Sequence, residues 1–221
     1  MLTWLQESGE VYQGQFGSFT VTSADRLGVV IYRGGLAVAA GSVLIGSILA
    51  LGWGAQPGIP TALTALFALF CLGLGVSLWT IHIYLKALHL TLQVLWGCGC
   101  LAAVAIALTH SQSLPLVVFP PYAPALVGVG LVFVALTGLF VKEAFCFNRL
   151  QAKALILLVP SLLLGHWLGL LPPLGEKILL VGWALVFAWF ALDKAFQQIP
   201  PDVGDKSVFA YLKQMKQSEV Y

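Results

Sequence analysis

Four long stretches of this chain carry no Asp, Glu, Lys or Arg: residues 34–85, 87–141, 154–175 and 178–192. A helix rises 1.5 Å per residue, so about 20 apolar residues cross the roughly 30 Å of hydrocarbon in a bilayer. The first two stretches are each long enough for two crossings. Water is a poor solvent for such a sequence, in which 59% of the 221 residues are hydrophobic and 9% charged, against about 25% charged in a soluble domain. In lipid every backbone polar group must be satisfied internally, which leaves helices and closed barrels. Apolar runs of this length select helices.

Read as runs of about 20 apolar residues, the chain offers six spans: residues 34–53, 61–83, 88–109, 123–141, 154–171 and 177–192. The breaker Gln56-Pro57-Gly58-Ile59-Pro60 parts the first two, and Pro172-Pro173 stops the fifth. The sixth is short and spans only if Lys177 and Lys194 snorkel to opposite interfaces. The fold class expected is all-α, a six-transmembrane-helix bundle with a small N-terminal surface segment. Its parts are an N-terminal segment (1–33), the transmembrane unit (34–192) and a C-terminal tail (193–221).

The basic residues orient this bundle. With the N-terminus inside, Arg26, Arg33, Lys86, Lys142, Arg149, Lys153, Lys194, Lys206, Lys213 and Lys216 fall on the cytoplasmic face and only Lys177 outside. That bias follows the positive-inside rule and puts both termini on the cytoplasmic side. A formal net charge of +2 makes no case for nucleic acid. Residues 1–32 lack a basic region followed by an apolar core, so the first span serves as its own signal.

Outside the spans, Val11-Tyr12, Phe16 and Phe19-Thr20-Val21-Thr22 suggest a small hairpin, and Ser23 a helix cap ahead of the first span. Residues 208–215 suggest an amphipathic tail helix carrying Phe209, Tyr211, Leu212 and Met215. Phe140-Val141-Lys142-Glu143-Ala144-Phe145 faintly echoes Ala191-Leu192-Asp193-Lys194-Ala195-Phe196, a match short enough to be coincidence.

Few residues offer chemistry. The charge-free spans argue against proton-coupled transport, since ionisable groups inside membranes usually mark such pathways. His166, in Leu164-Gly165-His166-Trp167, is expected deep in a span. Either it bonds a carbonyl of a neighbouring helix, as buried polar groups normally do, or it ligates the magnesium of a chlorophyll. His82 and His89 lie seven apart, about 10 Å along one helix, too far to share a metal. Cys98 and Cys100 diverge on a helix and read as packing residues. Ser42, Gly46 and Ala50, and Gly99 with Ala103, form small-residue stripes suited to close helix packing. No catalytic motif and no metal set are present, so no enzyme is expected.

Two segments look fit for partners besides membrane lipid. The outer loop Leu114-Pro115-Leu116-Val117-Val118-Phe119-Pro120-Pro121-Tyr122 is apolar and too short to span, with Phe119 and Tyr122 as candidate docking residues. The inner return, residues 142–153, mixes basic and aromatic groups, with Phe145, Phe147 and Arg149 as candidates. It also reads as an ordinary positive-inside loop. A channel or carrier for a small neutral solute is the alternative, through a polar file of Thr64, Ser77, Gln93, Ser161 and His166.

The stretch Val11-Tyr12-Gln13-Gly14-Gln15-Phe16-Gly17-Ser18-Phe19-Thr20-Val21-Thr22-Ser23-Ala24-Asp25-Arg26, the Lys142-Glu143-Ala144-Phe145-Cys146-Phe147 return and the six-span layout carry a resemblance. Together they resemble a family of small integral membrane proteins of cyanobacteria and algal plastids, of unknown function. The resemblance implies a thylakoid assembly factor that accompanies photosystem II reaction-centre subunits or other assembly factors. It supplies no pigment-binding pattern, so chlorophyll at His166 stands on the residue alone.

Overall fold

A computed structural model describes residues 9–120 and 123–218. A two-stranded antiparallel hairpin, β1 (Val11–Gly14) and β2 (Gly17–Thr20), pairs Tyr12 with Phe19 and Gly14 with Gly17. Nine helices follow among the described residues: α1 (Ser23–Trp53), α2 (Ile59–Thr80), α3 (Lys86–Thr109), α4 (Leu114–Val118), α5 (Pro124–Phe147), α6 (Leu150–Trp167), α7 (Pro173–Phe196), α8 (Pro200–Val203) and α9 (Lys206–Ser218). Six of them, α1, α2, α3, α5, α6 and α7, are long and apolar enough to cross a membrane.

The crossings agree with the sequence, and their ends differ for local reasons. Helix α1 begins at Ser23, well before residue 34. Its N-cap is Thr22 rather than Ser23: Asp25 N donates to the Thr22 hydroxyl at 3.3 Å, and Thr22 N donates back to the Asp25 carboxylate at 2.8 Å. This reciprocal box satisfies donors that a helix start otherwise leaves unpaired. Helix α5 runs to Phe147, so the expected twelve-residue inner return shrinks to Asn148 and Arg149. Asn148 ends the helix in the left-handed region, φ 52°, which Asn tolerates better than most residues. The sixth crossing is not short, because α7 has 24 residues. Lys194 does not snorkel at its end either; the side chain is buried.

Helix α1 packs on α2 and α7, α3 on α5, and α6 between α5 and α7. Lipid tails are as apolar as leucine, so this association depends on close van der Waals fit more than on escape from water. Backbones approach closely at Gly35 of α1 and Gly73 of α2. A Cβ on Gly35 would lie 2.5 Å from the Gly73 carbonyl oxygen, and one on Gly73 2.7 Å from that of Gly35. Gly99 meets α5 in the same way, with Val132 N 2.6 Å from the position of its absent Cβ. In the core, Phe140 meets Phe187 and Phe190 edge-on at 5.2 and 5.5 Å. Such edge-to-face geometry sets the positive ring rim against a negative face.

The hairpin rests on the tail. Gln15 N donates to Asp205 Oδ2 at 2.7 Å, Phe16 N to Ser207 Oγ at 3.0 Å, and Phe16 stacks on Tyr211 at 4.0 Å. A side chain at Gly14 would displace the Asp205 and Ser207 side chains that hold the hairpin. Both terminal segments therefore share one end of the bundle, here called the terminal end; α4 lies at the opposite, distal end.

Candidate functional site

At the terminal end, charges placed in flanking segments by the sequence turn inward and form one network. Glu143, on the last turns of α5, is fully buried, as is Lys194 on α7. Glu143 accepts from Tyr32 Oη and Lys142 Nζ, both at 2.8 Å, and pairs with Lys194 at 2.7 Å. Lys194 also pairs with Asp202 of α8, which Arg33 holds from α1 through Nε at 2.9 Å and Nη2 at 2.6 Å. Arg33 further donates to the Gln197 and Gln198 carbonyls at 2.6 and 2.9 Å. Three cations thus enclose two carboxylates, and the chain leaving α7 is fastened to α1. Tyr32, Lys142 and Lys194 surround the Glu143 carboxylate, and Lys194 and Arg33 that of Asp202, although Glu143 Oε2, facing Lys194, accepts no well-directed hydrogen bond.

The inner-return residues divide on this network. Phe147 faces Lys194, whose Nζ lies 3.8 Å from the ring centroid, a cation–π contact. Arg149 pairs with Asp193 and donates to Gln197 at 3.0 Å. Phe145 is 86% exposed and points away, as does Phe196 at the matching position of α7.

The distal end has a different character. His166 lies in the last turn of α6, not deep in the span. Its Nδ1 is 2.7 Å from Glu176 Oε1 of α7 and its Nε2 is 2.8 Å from the Phe119 carbonyl. A carboxylate and a carbonyl both accept, so the ring is engaged on both sides and offers no nitrogen to a magnesium ion in this arrangement. His166 and Phe119 are brought together, whereas Tyr122 lies outside the described residues.

Behind this clasp are two adjoining cavities. One of about 300 Å³ is lined by Leu162, Leu163, Glu176, Lys177, His166 and others, and one of about 150 Å³ by Ser42, Gly46, Ala50 and their neighbours on α2. Phe119, Phe133, Leu180 and Trp183 border both. The stripe Ser42, Gly46, Ala50 therefore opens a cavity, while the backbone approach is made at Gly35. The indole N–H of buried Trp183 has no acceptor among the described residues.

Three residues of the expected solute path are engaged with backbone carbonyls. Ser77 donates to the Tyr32 carbonyl at 3.0 Å, Thr64 to the Pro60 carbonyl at 3.0 Å, and Gln93 to the Leu78 carbonyl at 3.3 Å. Each satisfies a backbone group locally.

Residues 76–211, more than half of the chain, match the model of an uncharacterized integral membrane protein family. The chain belongs to the DUF2301 family. The DUF2301 match takes in Lys142, Glu143, Lys194 and Asp202, and it leaves Tyr32 and Arg33 outside. No curated protein and no solved structure matches the chain.

Outside the spans, local surroundings shift several groups. Hydrogen bonds from Ser207 and from Gln15 N hold the exposed Asp205 carboxyl below its ordinary value. Burial pushes the His82 imidazole down and the Tyr84 phenol up.

Proposed function

We propose that this DUF2301 protein is a non-catalytic auxiliary factor of the thylakoid membrane that docks on photosystem II reaction-centre subunits during assembly. Its terminal end faces the stroma in this reading, on the side where the basic residues gather. The observation that carries the reading is the platform built from the hairpin and α9. It is pinned by Gln15–Asp205, by Phe16–Ser207 and by Lys206, which reaches Asp25 at 2.7 Å. Pinned in this way, it still exposes Phe16, Tyr211, Leu212 and Met215. An ordered apolar patch outside the spans is a surface suited to another protein. The resemblance noted in the sequence supplies the identity of the partner.

Affinity purification in mild detergent, read by mass spectrometry, tests it. The wild-type chain is expected to bring down reaction-centre subunits, and Leu212→Glu to lose them while keeping its own yield. Recovery of the chain alone, from membranes whose photosystem complexes stay intact, would refute the assignment.

A further inference from the structure

The distal cavities suggest a ligand. Pockets for small molecules begin near 300 Å³, and an apolar cavity of about 150 Å³ already holds benzene. Here a cavity of about 300 Å³ adjoins one of about 150 Å³ across Phe119, Phe133, Leu180 and Trp183. The walls alone would describe an apolar gap between helices. Trp183 makes the site specific: its ring is 7% exposed, it borders both cavities, and its N–H is unpaired among the described residues. Buried donors are rarely left so, because the hydrogen bond lost to water is not replaced. A water molecule is a poor solution, since it needs two to four polar partners. Beside the ring, Phe133, Leu162, Leu163 and Leu180 offer none; the polar lining of the two cavities is Ser42, Ser47, His166, Glu176 and Lys177.

We propose that this cleft binds one bilayer-soluble molecule with a carbonyl group on an apolar body, its oxygen accepting the Trp183 indole N–H. The apolar body lies against Phe133, Leu163 and Leu180. The polar end of the molecule reaches the rim, where exposed Lys177 makes no ion pair among the described residues. Two kinds of membrane molecule share this chemistry: a quinone-type ring and the ester of an acyl lipid. Neither a scaffold role nor the identity of its partner is needed for the site to exist.

The test uses the full chain purified in detergent and titrated with two probes, a short-tailed benzoquinone and a short-chain monoacylglycerol, while the thermal midpoint is read. At least one probe is expected to raise the midpoint saturably. Trp183→Phe keeps an aromatic ring and removes the donor, so half-saturation should need about fivefold more probe, the worth of one net hydrogen bond. Leu163→Trp fills the cavity and should abolish the shift, whereas Trp79→Phe, on the exposed face of α2, should leave it unchanged. A response to the quinone alone assigns a ring ligand, and a response to the glyceride alone an acyl ester. The proposal fails if neither probe shifts the wild-type midpoint, or if Trp183→Phe responds at the same concentrations as wild type.

Discussion

Lys194 of α7 and Glu143 of α5 meet at 2.7 Å with both side chains withdrawn from solvent. Taking two charges out of water costs several kcal/mol per ion, and only excellent geometry with further hydrogen bonds repays it. Here Tyr32, Lys142, Asp202 and Arg33 supply those bonds, which makes each member dependent on the others. Removing one partner leaves an uncompensated charge. Lys194→Met is therefore expected to cost about 3–5 kcal/mol, measured by denaturant unfolding in detergent. Glu143→Gln combined with Lys194→Met should recover part of that loss, because Asp202 keeps Arg33. Equal stability of wild type and Lys194→Met would show that the network is not a structural lock.

The Gly35–Gly73 approach makes a prediction of opposite kind, about volume rather than charge. A methyl group on Gly35 meets the Gly73 carbonyl at 2.5 Å, a distance that real contacts do not sustain. The two helices must part, and Gly35→Ala is expected to cost about 1–3 kcal/mol, the usual penalty for overpacking. Gly41, on the same helix, has nothing within 4 Å of the position a Cβ would take. Gly41→Ala should be neutral or stabilise by up to about 1 kcal/mol, since alanine is the better helix former. Thermal midpoints of the two variants separate the cases, and a similar loss in both would contradict the assigned contact.

The six crossings were legible because hydrocarbon imposes a length, and the runs between charges report that length directly. Which glycine lets two backbones touch was not. Ser42, Gly46 and Ala50 have the right spacing, but spacing does not say which stripe faces a helix and which a cavity. The terminal network was missed for a related reason. Lys142, Glu143 and Lys194 lie near apolar runs, and the positive-inside pattern explains such lysines without any partner. A signal did exist in the echo between residues 140–145 and 191–196. It sets Glu143 against Lys194, an acid and a base at matching positions one turn from the ends of two helices. The engagement of His166 with Glu176 was hidden because α6 ends at Trp167, earlier than the apolar run itself.

The platform should respond to acid. Hydrogen bonds from Ser207 and Gln15 N lower the Asp205 carboxyl below its ordinary value of 3.8. A native value below the unfolded one means that the unfolded state takes up protons first. The contribution is then fully present above the ordinary value and lost as pH falls through the lowered native one. NMR contacts between Phe16 and Tyr211 are expected to persist at neutral pH and weaken below the ordinary aspartate range. Asp205→Asn should shrink that limb, while Asp25, also held below its ordinary value, keeps its own share through Lys206. His82, pushed down by burial, gives a separate limb that begins near its ordinary 6.5 and survives in Asp205→Asn. A single transition that Asp205→Asn leaves unmoved would exclude this carboxylate as the cause.

At the distal end, His166 ties three elements together, with Nδ1 2.7 Å from Glu176 Oε1 of α7 and Nε2 2.8 Å from the Phe119 carbonyl just after α4. The contact is partly exposed, with side-chain exposures of 18% for His166 and 33% for Glu176, so solvent screens much of its Coulomb energy. Glu176→Gln should therefore change global stability little, by about 0–1 kcal/mol. The effect of His166→Ala is local instead. It removes the ring that contacts the Phe119 carbonyl and frees the end of α4, which otherwise packs through Leu114 and Val118. Limited proteolysis from the distal side is expected to cut the segment around Phe119 several times faster in His166→Ala than in wild type, while Glu176→Gln lies between them. If cutting is equally slow in all three, burial of Leu114 and Val118 suffices to hold this segment and the histidine is not its fastener.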